Sequence, residues 1–169
     1  MIKTEEAYED ITNEWLTCSK SDICRIEYSN IFIDDDGNEY YIDNKNVVFK
    51  HNKEEIVTAK WLAKMFGGTV YMPPSINYPK GIKTTDYLFN NEFYDLKNIR
   101  GSGKRVVDYI IKPCKGQSNN FIIDISHCPL NIDNIIDQVK RIYITKGREW
   151  INVIVIKEGN ELIKIFKRK

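Results

Sequence analysis

The stretch Thr85-Asp86-Tyr87-Leu88-Phe89-Asn90-Asn91-Glu92-Phe93-Tyr94-Asp95-Leu96-Lys97 limits the possible fold more than any other. Two short runs of aromatic and aliphatic residues meet at Asn90-Asn91, a pair suited to a tight hairpin turn. This predicts two antiparallel strands, with Asp86 on the first and Asp95 and Lys97 on the second. Side chains two apart on a strand share a face, so Asp95 and Lys97 lie side by side while Leu96 turns to the core. Two carboxylates and an ammonium on one sheet surface suit a divalent cation, magnesium above all, because hard oxygen ligands fit it. A neighbouring lysine can then hold or polarise an attacking water. The plain alternative is a surface ion pair. Asp43-Asn44-Lys45 has the same form, but its Asn-rich setting reads as a solvated turn.

A chain of 169 residues is long enough to bury a proper core, and 42% apolar with 29% charged residues is a globular composition. The longest apolar runs, such as Val153-Ile154-Val155-Ile156, are far too short to cross a bilayer, so no membrane span is expected. The first residues lack the apolar segment of a signal peptide. Cys18, Cys24, Cys114 and Cys128 show no zinc-type spacing, and His51 and His127 stand apart. Reduced thiols are expected. The net charge is +1, but its distribution is uneven. Glu5, Glu6, Glu9, Asp10 and Glu14 make the start acidic. Between Lys97 and Lys115, the cations Lys97, Arg100, Lys104, Arg105, Lys112 and Lys115 face only Asp108, and the chain closes on Lys164, Lys167, Arg168 and Lys169. Such clusters are either solvated faces or a positive groove for a polyanion.

Residues 1–51 read as an N-terminal extension: a helix over 4–17, then a small β-meander of strands at 23–28, 31–33, 39–42 and 47–49. A helix follows Asn52, with Glu55 at the capping-box position and Gly67-Gly68 as its stop. Then come a strand at 69–72, the hairpin, a second helix capped by Ser102 and disturbed by Pro113, and a buried strand at 121–126. A helix over 131–146 and strands at 150–156 and 162–166 complete the chain. The alternation from residue 52 to 169 predicts an α/β domain with a mixed central sheet flanked by helices. Asp124, inside an apolar strand, is expected to pair with a buried basic group.

That order, with Asp86 and Asp95-Leu96-Lys97 on adjacent strands, resembles the PD-(D/E)XK restriction-endonuclease-like superfamily. The wording of Glu55-Ile56-Val57-Thr58-Ala59-Lys60-Trp61-Leu62-Ala63, Gly81-Ile82-Lys83-Thr84-Thr85-Asp86-Tyr87-Leu88, Asp95-Leu96-Lys97, Gln117-Ser118-Asn119-Asn120 and Ile123-Asp124-Ile125 resembles the C-terminal tRNase domains of CdiA-type contact-dependent growth inhibition toxins. The resemblance spans 52–169 and leaves the extension uncovered. It implies a metal-dependent endoribonuclease acting on tRNA, a toxin or mobile-element effector neutralised by a cognate immunity protein. It also implies action in the bacterial cytoplasm, with delivery from another cell as part of a larger toxin. Asp86 and Asp95 become ligands of magnesium or another divalent cation, joined by Glu55 from the first helix; Lys97 becomes the catalytic lysine. Gln117 becomes the polar residue near the scissile phosphate. Thr85 stands where the superfamily pattern has proline. Arg100, Lys104 and Arg105 are the candidates for gripping nucleic-acid phosphates. Two other readings share the fold: a DNase of mobile-element processing, and a non-catalytic nucleic-acid-binding module.

Overall fold

The structure is a computed structural model that describes residues 6–18 and 21–169. In chain order the elements are β1 (Tyr8–Asp10), α1 (Thr12–Thr17), β2 (Cys24–Tyr28), β3 (Ile31–Ile33), β4 (Glu39–Tyr41), β5 (Val47–Val48) and α2 (Lys53–Phe66). They continue as β6 (Gly68–Met72), β7 (Ser75–Ile76), β8 (Tyr87–Phe89), β9 (Glu92–Asn98) and α3 (Val106–Ile111), the last running into a 3-10 turn at Lys112–Cys114. β10 (Asn120–Asp124), α4 (Ile132–Ile144), β11 (Val153–Glu158) and β12 (Glu161–Arg168) follow. Among the described residues no helix is long and apolar enough to cross a membrane. The chain divides into two compact units, the described parts of residues 19–95 and those of 1–18 with 96–169, the division falling inside β9.

In the 19–95 unit, α2 starts where its cap predicts. The Asn52 side chain accepts the Glu55 N–H at 2.8 Å, the Glu55 carboxylate takes the Asn52 N–H in return, and Gly67 ends the helix at φ 76. This reciprocal arrangement satisfies two donors that a helix start otherwise leaves open. The helix buries Thr58, Ala59, Trp61, Leu62 and Ala63. β2 pairs parallel with β6, β6 antiparallel with β8, and β8 antiparallel with β9, so the sheet is mixed. The expected β-meander does not form. Only β3 and β4 make a hairpin, while β2 takes β6 as its partner and β5 takes β7. Strands this short depend on a distant partner to bury a face, and short-range sequence does not name that partner. Asp43-Asn44-Lys45 is a turn, as expected: the Asp43 carboxylate accepts the N–H groups of Lys45, Asn46 and Val47.

The other unit is built on the order β1-β12-β11-β10, antiparallel except for the parallel pair β10 and β11. Its core joins Phe121, Ile123, Ile154, Ile156 and Phe166 of these strands to Val107 and Ile111 of α3 and to Ile135, Val139, Ile142 and Tyr143 of α4. The helix expected over 4–17 is corrected within the described part: Tyr8–Asp10 is a strand on β12, and only Thr12–Thr17 is helical. Tyr8 packs edge-on against Phe166 with ring centres 5.6 Å apart, and the Asp10 carboxylate accepts the Thr12 N–H, which turns the chain out of the strand. Ser102 does not cap α3; Arg105 occupies that place with no side-chain cap bond. Instead Gln138 of α4 holds the helix start, accepting the Val107 N–H at 3.2 Å and donating to the Gly103 carbonyl at 3.0 Å.

Candidate active site

The hairpin forms because Asn90 and Asn91 both take the left-handed conformation, with φ 50 and 63, which a two-residue turn between twisted strands requires. Its register sets Phe89 opposite Glu92, Leu88 opposite Phe93 and Tyr87 opposite Tyr94. The step beyond would join Asp86, the residue before Tyr87, to Asp95, the residue after Tyr94. Strand pairing stops at that step, so Asp86 lies in the bend just before β8 and not on the strand itself. Asp95 is more deeply placed than a surface reading allows, at 2% exposure. Leu96 is buried as expected, and Lys97, on the Asp95 face of β9, is half-buried.

Tyr87, which was not singled out from the sequence, ties the helix to the hairpin: its hydroxyl donates to the Glu55 carbonyl at 2.8 Å. Burial pushes this phenol well above its ordinary value, and the negative charges of Asp86, Glu55 and Asp95 push it further in the same direction. Three of the sequence candidates therefore act on one hydroxyl. Only an aromatic with a polar tip, next to Asp86 on an alternating strand, could have signalled it. The Glu55 carboxylate is itself engaged at the helix start, accepting from Asn52 Nδ2 at 3.0 Å and lying 3.5 Å from Nδ1 of His51. The capping role accounts for its position.

The remaining candidates belong to the other unit. Gln117 is half-buried in the turn after the 3-10 segment, its N–H donating to the Cys114 carbonyl at 2.9 Å. Arg100 and Lys104 are exposed. Arg105 donates to the Asp108 carboxylate at 2.7 Å and lies over the Tyr109 ring, 5.3 Å from its centre. Asp124 has the expected basic partner, Lys157, at 2.9 Å. The C-terminal cations are partly spent on structure: Arg168 donates to the carbonyls of Ile151, Tyr143 and Arg148, and Lys164 to Asp10.

Among the described residues no group of three His, Cys, Asp or Glu side chains is spaced to hold a metal ion. Magnesium does not need one, since one or two carboxylates usually bind it with water and substrate phosphate completing the shell. Asp86 and Asp95, each adjoining the last residue of its strand paired across the hairpin, supply carboxylates of the kind such a site uses.

Residues 83–162 match the model of the contact-dependent growth inhibition CdiA C-terminal domain family. The matched stretch contains Asp86, Asp95, Lys97, Arg100, Lys104, Arg105 and Gln117, and leaves Glu55 outside. Among solved structures, a CdiA-CT/CdiI toxin and immunity complex from Burkholderia pseudomallei has a similar fold, with a TM-score of 0.56 at 16% sequence identity. The likeness covers 85% of this chain and 98% of that one. No curated protein matches the chain in sequence.

Proposed function

We propose that this protein is a metal-dependent endoribonuclease that cleaves tRNA as the toxic part of a growth-inhibition or mobile-element system. The observation that carries the proposal is that Asp86 and Asp95 adjoin the paired residues Tyr87 and Tyr94 of a hairpin whose second strand also carries Lys97, inside the stretch matched by the family model. The succession α2, β6, β7, β8, β9, α3, β10, with the two-residue β7 outside the mixed sheet, supports a core of the PD-(D/E)XK kind. Asp86 and Asp95 would hold a magnesium ion, which when bound neutralises phosphate charge and makes water more acidic. Lys97 orients the attacking water or donates to a phosphoryl oxygen as negative charge builds there. Glu55, whose carboxylate is held by the Asn52 cap, adds negative charge beside the Tyr87 phenol, and with no three-ligand cluster among the described residues it is not counted as a third ligand. The part of Gln117 near the phosphate rests on the resemblance alone. Hydrolysis of this type leaves a 5′-phosphate and makes no use of the 2′-hydroxyl, so preference for RNA rests on binding contacts.

The solved neighbour is a complex with an immunity protein, and a cognate immunity protein is the partner we propose here. The proposed place of action is the cytoplasm of a bacterial target cell, reached from another cell as part of a larger toxin. A second reading, a nucleic-acid-binding module without cleavage, is favoured by the lack of a three-ligand cluster among the described residues. Incubation with total tRNA and with duplex DNA, each with magnesium or with EDTA, separates the readings. Cleavage of tRNA only with magnesium, lost by at least about a hundredfold in Asp95→Asn, is the expected result; removing one transition-state electrostatic contact costs on that order. Preferential DNA cleavage would replace it with a DNase, and binding without cleavage with the module.

A further inference from the structure

The start of α3 and the middle of α4 enclose a cleft of about 310 Å³ lined by Lys104, Arg105, Asp108, Gln138, Arg141 and Thr145. Gln138 fixes its walls through the bonds to Val107 and Gly103 already described, and its amide also donates to Asn134 at 2.9 Å. The single carboxylate of the lining, Asp108, is neutralised from within: Arg148, itself buried, donates to it through Nε at 2.7 Å and through a second nitrogen at 3.2 Å. Burial works against the charged form of Asp108, but the hydrogen bonds from Arg148 and Arg105 outweigh it and hold the carboxyl below its ordinary value. What the cleft offers to solvent is therefore positive. Lys104 and Arg141 are exposed, and neither is ion-paired among the described residues. At its edge Tyr109 is 63% exposed, with the Arg105 guanidinium set against its ring.

An exposed aromatic braced by arginine beside unpaired cations is the combination that holds unstacked nucleic acid, the ring taking a base and the cations the backbone. We propose that this cleft grips single-stranded or looped RNA, with Lys104 and Arg141 on consecutive phosphates and Tyr109 stacking an unpaired base. The inference rests on the reading of the substrate as RNA but not on cleavage.

The test is binding of a fluorescein-labelled RNA stem-loop and of a fully paired RNA duplex, in EDTA and at several salt concentrations. Lys104→Ala with Arg141→Ala should weaken binding by roughly tenfold at low salt. It should also flatten the plot of log affinity against log salt by about 1.4, the share of two single-strand phosphate contacts. Tyr109→Ala should weaken the stem-loop by at least about fivefold and leave the duplex unchanged, while Tyr109→Phe should bind like the unaltered protein. Thermal unfolding of each variant shows whether the fold is intact. Unchanged affinity and salt dependence in the folded double variant would overturn the site, and if tRNA is still cut, the nuclease reading survives alone. Binding that shows this dependence in a protein that never cuts RNA would sink the nuclease reading and leave the site standing. Failure of the unaltered protein to bind either RNA would also overturn the site, and would turn the cleft towards an acidic protein partner.

Discussion

Lys157 ends the apolar run Val153-Ile154-Val155-Ile156 with its side chain only 3% exposed. Its ammonium lies 2.9 Å from Asp124, its register partner on the parallel strand β10. Asp124 also accepts the N–H and hydroxyl of Ser126, and the Ser126 oxygen accepts the Gly159 N–H at 2.7 Å, which ties the end of β10 to the β11–β12 turn. Asp124→Ala removes the carboxylate 2.9 Å from a buried ammonium and frees that tie, at a cost of about 3–5 kcal/mol. In a domain of this size that lowers the melting temperature by roughly 10 °C. Lys157→Met keeps the aliphatic stem and removes the charge, leaving Asp124 its Ser126 bonds, so it costs less, about 2 kcal/mol. The double variant has no buried charge left uncompensated. It should therefore be more stable than the sum of the single losses by at least about 2 kcal/mol, as coupled neighbours are. Urea unfolding of the four proteins measures this directly. Single losses that add to within about 0.5 kcal/mol would refute the claim that the two charges are held by one another.

Two further perturbations follow from the same structure. Asn52→Ala removes the acceptor for the Glu55 N–H and should cost about 1 kcal/mol, read as a lower urea midpoint with unchanged slope. Asp108 and Asp124 are both buried enough to disfavour charge, yet hydrogen bonds from Arg148 and Arg105, and from Ser126 and Lys157, hold both carboxyls below their ordinary value. Their contribution is complete above the unfolded value of about 4 and is lost as the pH falls through the lower folded values. Acid titration of stability should show a decline starting near pH 4, and Asp108→Asn should make that decline shallower.

Much of the fold was legible because local signals and tertiary needs agreed. Asn90-Asn91 fixed the hairpin through its backbone tolerance, Asn52 and Glu55 fixed the start of α2, and the stripe of Ile135, Val139 and Ile142 fixed α4. The failures lie where a distant partner decides. Tyr8–Asp10 reads as part of a helix until β12 is present to pair with it, and β2 and β5 look like neighbours in a meander until β6 and β7 claim them. Ser102 has the chemistry of a cap, but Gln138, from a helix far along the chain, does that work. At the site, alternation alone put Asp95 and Lys97 on one face of β9, while Asp86, expected on the first strand, lies in the bend before it. Burial of Asp95 and the part played by Tyr87 required the packed helix. Lys157, the counter-charge to Asp124, was hidden because nothing in an apolar strand says which buried acid its one lysine meets.

The most direct measurement is the chemistry of the ends produced from purified tRNA in magnesium, comparing the unaltered protein with Lys97→Ala and Asp86→Asn. A 5′-phosphate at a discrete position, with both variants slowed by at least about a hundredfold while still folded, is the predicted result. A 2′,3′-cyclic phosphate, or undiminished cleavage by Lys97→Ala, would contradict it.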